Sequence, residues 1–126
     1  MIREGQVSVD IILAKNGGFY GEYFNNAFLD GTPAKTRLDT KIDFDWGYDL
    51  ITNEAADFVS VRWFGKIRAP STEEFTFIMH ADDGIRFYID GILLIDRWDT
   101  CCSDMTTTIL LVKDKFYDIR IEYKEL

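Results

Sequence analysis

The stretch A-D-D-G-I-R-F-Y-I-D-G-I-L-L-I-D-R-W, Ala81 to Trp98, decides the fold class. Ile85, Phe87 and Ile89 alternate with Arg86 and Tyr88, the period-two pattern of a strand with one buried face. Asp90-Gly91 interrupts the run, and Leu93 and Ile95 follow on the far side. Two apolar runs separated by Asp-Gly predict a tight hairpin, because glycine accepts the positive φ that a two-residue turn requires.

The same period recurs in both directions. Phe58 to Phe64 places Val59, Val61 and Trp63 on one face and Ser60 and Arg62 on the other. Ala69-Pro70-Ser71 ends that region, and Phe75, Phe77 and Met79 mark the next strand. Downstream, Thr106 to Val112 and Phe116 to Tyr123 flank Lys113-Asp114-Lys115. In the last strand Tyr117, Ile119, Ile121 and Tyr123 face in, and Asp118, Arg120, Glu122 and Lys124 face out. Upstream, Ile42, Phe44 and Trp46 alternate, Phe19 to Phe24 is a strand rich in aromatics, and Val7, Val9, Ile11 and Leu13 give another. Phe28 to Lys41, with Gly31 and Pro33, reads as a connecting loop. No window repeats apolar residues at helical spacing. The expectation is an all-β antiparallel sandwich or barrel of about eight to nine short strands.

The 126 residues suit one domain, and 47% hydrophobic with 15% aromatic content supplies the apolar area a core needs. The plausible boundary is Asn16-Gly17-Gly18. Residues 1–16 then hold a strand that is either the end of a preceding Ig-like or filamin-like domain or the module's own first strand, and 17–126 form the main domain. Twenty-two acidic against fourteen basic residues give a formal charge of −8, which repels nucleic acid and anionic lipid. No apolar run approaches the roughly 20 residues of a membrane span, and Met1 to Lys15 lacks the layout of a secretory signal. Cys101 and Cys102 are adjacent, so they cannot staple distant strands; they are two free thiols or a strained vicinal disulfide.

Three blocks in order resemble the PA14 domain family. The first is G-F-Y-G-E-Y-F at Gly18 to Phe24, with G-T-P at Gly31 to Pro33, Arg37, and I-D-F-D-W-G at Ile42 to Gly47. The second is F-V-S-V-R-W-F-G-K-I-R-A-P at Phe58 to Pro70, continuing into E-F-T-F at Glu74 to Phe77. The third is the opening stretch, Ala81 to Trp98, followed by Y-D-I-R-I-E-Y at Tyr117 to Tyr123. The resemblance implies a β-barrel module found in glycosidases, adhesins and multidomain surface proteins. It also implies one more strand past the Glu122-Tyr123 pair, so the expectation is either a sandwich lacking its last strand or an open edge completed by another chain or domain.

Calcium takes six to eight oxygen ligands, and paired aspartates in a tight loop are suitable material. Neighbouring side chains on a strand point to opposite faces, so Asp82 and Asp83 share an ion only where the backbone turns sharply, helped by Gly84 or a cis peptide. In sugar-binding adhesins similar to this chain such a pair holds calcium with a later loop, and the ion coordinates sugar hydroxyls. The resemblance carries that role to Asp82 and Asp83. The later loop here, Asp99 to Met105, offers Asp99 and Asp104, with Asp104 as the third metal ligand. Trp98, just after a strand, and Asp99 complete the candidate ligand site, and the other reading of the aspartates is a structural turn. Trp63 is core; Trp46, Tyr48 and Tyr88 are weaker ligand candidates.

Catalysis has little material. His80 is the single histidine, and no nucleophile, base and orienting acid assemble around it. Zinc is poorly served by two adjacent thiols and one histidine, and no phosphate-binding loop opens a helix. The expectation is a non-catalytic module of a larger protein with two rival roles. One is calcium-assisted glycan binding at a cell surface. The other is a structural protein-interaction module without sugar or metal, in a scaffold such as a cilium or flagellum.

Overall fold

The computed structural model describes residues 6–10, 18–46, 50–52, 54–99 and 103–126, of which 6–10 and 103 are described by backbone alone. Among them are ten strands and no helix: β1 (Gln6–Asp10), β2 (Phe19–Phe24), β3 (Lys35–Asp39), β4 (Ile42–Asp45), β5 (Val59–Arg68), β6 (Glu73–Ala81), β7 (Gly84–Ile89), β8 (Ile92–Arg97), β9 (Ser103–Leu111) and β10 (Phe116–Glu125). They form a four-stranded sheet, β4-β1-β6-β9, and a six-stranded sheet, β3-β2-β5-β10-β7-β8. Every pairing is antiparallel, and the sheets pack face to face as a sandwich. Each strand read from the sequence has its counterpart here, the tenth being β3, and β1 is hydrogen-bonded between β4 and β6.

The hairpin of the opening stretch forms as expected. β7 pairs with β8 around Asp90 and Gly91, whose φ angles of 49° and 80° are those of a primed two-residue turn. The register slips by one between Phe87 and Tyr88, which pair with Ile95 and Leu93, so Leu94 is an extra residue.

Part of the expected loop 28–41 is a strand. β3 pairs with β2 along its whole length, Phe19 opposite Asp39 through Tyr23 opposite Lys35. Its polar residues disguised it. Asp39 is buried and accepts hydrogen bonds from the Tyr23 hydroxyl at 2.5 Å, the Trp63 indole nitrogen at 2.8 Å and Arg37 Nε at 2.5 Å. Polar side chains on an edge strand therefore serve the interior by satisfying two buried aromatic donors. Burial, together with the Asp39 carboxylate, pushes the Tyr23 hydroxyl well above the ordinary tyrosine range.

Trp63 is fully buried, as expected, and stands among Tyr23, Phe44 and Tyr123 with ring centroids 6.1 to 6.4 Å apart. Phe77, Met79, Ile85, Phe87, Ile119 and Ile121 extend this core between the sheets. Trp46 is partly buried and stacks on Phe44 at 4.7 Å.

One expectation for β10 needs correction. Glu122 and Lys124 do lie in the outward phase, but both are buried, at 4% and 8% exposure. Arg62 and Arg86 each place Nε 3.0 Å from a Glu122 carboxylate oxygen, and Trp98 lies against Lys124. The outer face of the six-stranded sheet is thus roofed by its own long side chains. Among the described residues no helix is long and apolar enough to cross a membrane. Cys101, Cys102 and Tyr48 lie outside the described residues.

Candidate functional site

The connection from β6 to β7 is only Asp82-Asp83, and it carries the chain from the four-stranded to the six-stranded sheet. The peptide bond between the two aspartates is cis. Three contacts with the end of β10 fix this turn. Asp83 N donates to the Lys124 carbonyl at 3.0 Å, Leu126 N donates to Asp83 Oδ2 at 2.8 Å, and the Tyr123 hydroxyl donates to the Asp82 carbonyl at 2.5 Å.

Gly84 opens β7 in contact with the segment after β8. A Cβ added there would meet the Trp98 carbonyl oxygen at 2.1 Å, so only glycine lets that backbone pass. The close approach places Trp98 and Asp99 beside the acidic turn. Trp98 is half-buried under two cations, Arg86 with its guanidinium carbon 4.0 Å from the ring centroid and Lys124 Nζ at 4.8 Å. Asp99 is almost fully exposed and accepts from Lys124 Nζ at 3.0 Å.

Asp82 and Asp83 do converge, and the third carboxylate beside them is Glu125. One oxygen from each of the three lies within 4.8 Å of the others. Ligand oxygens on one calcium sit 2.3–2.6 Å from the ion and so at most about 5 Å apart, and this set fits that limit. Both aspartates are half-buried and Glu125 is 1% exposed. Burying close carboxylates is costly unless cations or donors offset the charge. The Tyr123 hydroxyl stands 3.3 Å from Glu125 Oε2, and burial, then the charges of Glu125, Asp82 and Asp83, holds its proton far above the ordinary tyrosine range.

Asp104, expected as the third ligand, lies on β9 opposite His80 and binds it, Oδ1 to Nδ1 at 2.6 Å. Trp98 and Asp99 are placed beside the acidic turn, whereas Asp104 is not one of the three converging carboxylates. Glu125 had a signal in the sequence that was not used. It continues the inward phase of Tyr117, Ile119, Ile121 and Tyr123, and a carboxylate in that phase needs a partner.

The PA14 domain model matches residues 14–126. Anti-sigma-I factor RsgI3 of Acetivibrio thermocellus is 40% identical over 109 residues, covering 84% of this chain and 17% of that protein. An anti-sigma factor domain-containing protein from Clostridium clariflavum superposes with a TM-score of 0.77 at 41% identity, over 85% of this chain and 37% of its own. A second structure of an anti-sigma factor domain-containing protein gives a TM-score of 0.79 at 39% identity, over 86% and 38%. This chain therefore corresponds to a minor part of the length of these relatives, and with its sandwich and match over residues 14–126 it belongs to the PA14 domain family.

Proposed function

We propose that this chain is a non-catalytic recognition module of a larger protein of the anti-sigma-factor kind, binding carbohydrate with the help of one calcium ion. The observation that carries the reading is the convergence of Asp82, Asp83 and Glu125 within 4.8 Å, on a turn fixed to β10 and bordered by exposed Asp99. Bound there, calcium supplies a Lewis-acidic centre able to take paired hydroxyls of a sugar ring. The chain's own residues set the rest of the specificity. Asp99 offers an acceptor for hydroxyl groups, and Lys124, tied to Asp99, keeps that carboxylate beside the turn. Gly84 holds the Trp98 backbone against the site.

Calorimetry and thermal melting under calcium titration test this, on the natural chain and on Asp82→Ala combined with Asp83→Ala. Saturable binding and a raised melting point, both lost in the double variant, support the reading through ligand linkage. A melting point indifferent to calcium and to chelator refutes it.

A second reading, docking of a neighbouring protein domain, is favoured by the sheet edges. β8 and β9 are terminal strands of the two sheets, and both border one groove lined by Leu94 to Arg97 and Asp104 to Thr106. β9 runs nine residues, S-D-M-T-T-T-I-L-L, without proline or lysine, so its edge lacks common guards against added strands. Hydrogen exchange across 103–111, slowed by the adjoining segment of the longer protein, is the expected outcome; exchange unchanged by that segment removes this reading.

A further inference from the structure

The outer face of the six-stranded sheet carries one register row that crosses every strand: Leu38, Tyr20, Phe64, Arg120, Tyr88 and Leu93. Four of these are large apolar residues left open, Leu38 at 66%, Tyr20 at 47%, Leu93 at 43% and Phe64 at 39%. Aromatic side chains so exposed along one line are not what a solvated sheet face needs. Between Phe64 and Tyr88 the face is hollowed into a depression of about 280 Å³, edged by Gly65, Gly91, Asp118 and Arg120. Gly65 borders the depression with its backbone alone, since its side-chain position faces the core. A Cβ there would meet the Phe19 ring at 2.6 Å.

The charges around the depression answer one another. Lys66 Nζ pairs with Asp118 at 2.9 Å, and Arg62, Arg86 and Arg120 all converge on Glu122, with Glu22 3.9 Å from Arg62. Arg120 lies over the Tyr88 ring, its guanidinium carbon 3.9 Å from the centroid and its buried Nε 3.9 Å from a Glu122 oxygen. The net charge of −8 on the whole chain repels a polyanion at long range. Aromatic faces beside amide, guanidinium and carboxylate groups instead suit an uncharged ring with hydroxyls on its edge and C–H groups on its face. The depression is of single-ring size, and Tyr20 to Tyr88 spans three strand spacings, about 14 Å, enough for a short run of such rings.

We infer that this row is a second glycan site, taking a neutral polysaccharide chain without calcium, with Phe64 as stacking platform and Arg120, held on the Tyr88 ring, as hydrogen-bond donor. The inference rests on the carbohydrate reading of the module but not on the metal.

Affinity electrophoresis in soluble neutral β-glucan and xylan, with and without excess EDTA, tests it. The proteins compared are the natural chain, Phe64→Ala, Tyr88→Ala, Tyr20→Ala, and Asp82→Asn combined with Asp83→Asn, each first checked for an unchanged far-ultraviolet spectrum. Retardation that persists in EDTA and in the aspartate variant, and weakens about tenfold or more in Tyr88→Ala or Phe64→Ala, is the expected result. It would stand even where the calcium titration fails. Retardation abolished by EDTA and untouched by the aromatic substitutions overturns the second site and leaves the calcium site intact. Retardation only in an acidic polysaccharide overturns it, and so does a concentration-dependent dimer that Tyr88→Ala dissolves. No retardation in any polysaccharide overturns it together with the carbohydrate reading.

Discussion

Replacing Gly84 by alanine tests how the acidic turn is built. The added Cβ would stand 2.1 Å from the Trp98 carbonyl oxygen, 2.9 Å from its carbonyl carbon and 3.0 Å from Lys124 Cε. The lysine chain can swing away, but the first two atoms are backbone. Contact at an ordinary 3.2 Å or more then requires Trp98 or the start of β7 to move by about 1 Å, in a packed interior that resists such shifts. Overpacking of this kind costs about 1–3 kcal/mol, and a backbone clash belongs at the upper end. In a domain of this size each kcal/mol lowers the melting temperature by about 3–5 °C, so Gly84→Ala should melt roughly 9–15 °C below the natural chain. Gly91→Ala is the control, because nothing lies within 4 Å of its Cβ and only its φ of 80° opposes a side chain. That conformation costs about 1–2 kcal/mol, a drop of some 3–10 °C. Thermal melting by circular dichroism without calcium measures both. A Gly84→Ala melting point within 2 °C of the natural chain would falsify the claim that backbone contact with Trp98 fixes the turn.

Asp39→Ala removes the acceptor of three hydrogen bonds and leaves the Trp63 indole and Tyr23 hydroxyl buried without it. Leaving those buried donors unpaired costs about 1–3 kcal/mol each, which urea denaturation would register as a lower midpoint at unchanged slope. Raising pH tests the two buried tyrosines: both hold their protons above the ordinary value near 10, so their contribution is constant below about pH 10 and is lost as pH rises beyond it. Urea midpoints at pH 9 and pH 11 should therefore differ, with the smaller difference in Tyr123→Phe. Glu125→Gln keeps shape but removes one anionic ligand; calcium affinity should fall by about tenfold or more in calorimetry, while Asp104→Asn should leave it unchanged.

Strand positions were legible wherever one face is apolar and the other wet, which is why β2 and the β7–β8 hairpin stand where the alternation put them. β3 was not, because its inward positions are Arg37 and Asp39, and alternation reads apolar residues rather than the ions that serve buried aromatics. The same blindness applied to Glu122 and Lys124. A strand pattern gives the side of the sheet but not what long neighbouring side chains lay across it. At the site, adjacency made Asp82 and Asp83 visible, whereas Glu125 is 42 residues beyond Asp83 and joins it only because β10 pairs with β7. Asp104 looked like a ligand from its place in the following loop, but β9 begins at Ser103 and register sets it against His80 instead.

The position of the acidic turn ties its chemistry to the stability of the sandwich. Asp82-Asp83 is one of the covalent passages between the two sheets, and Glu125 ends the strand beside β7. A cation held by all three would join the crossing to β10 and relieve their mutual repulsion at one point. Its binding energy should therefore appear as resistance to unfolding, about 2.7 kcal/mol at a free concentration one hundred times Kd. The aromatic row on the outer face touches none of these groups, its residues lying on strands that pair without calcium. The two sites are thus separable by a simple physical criterion: a ligand at the turn raises the melting point with the logarithm of calcium above Kd, and a ligand on the row changes it to the same extent in chelator.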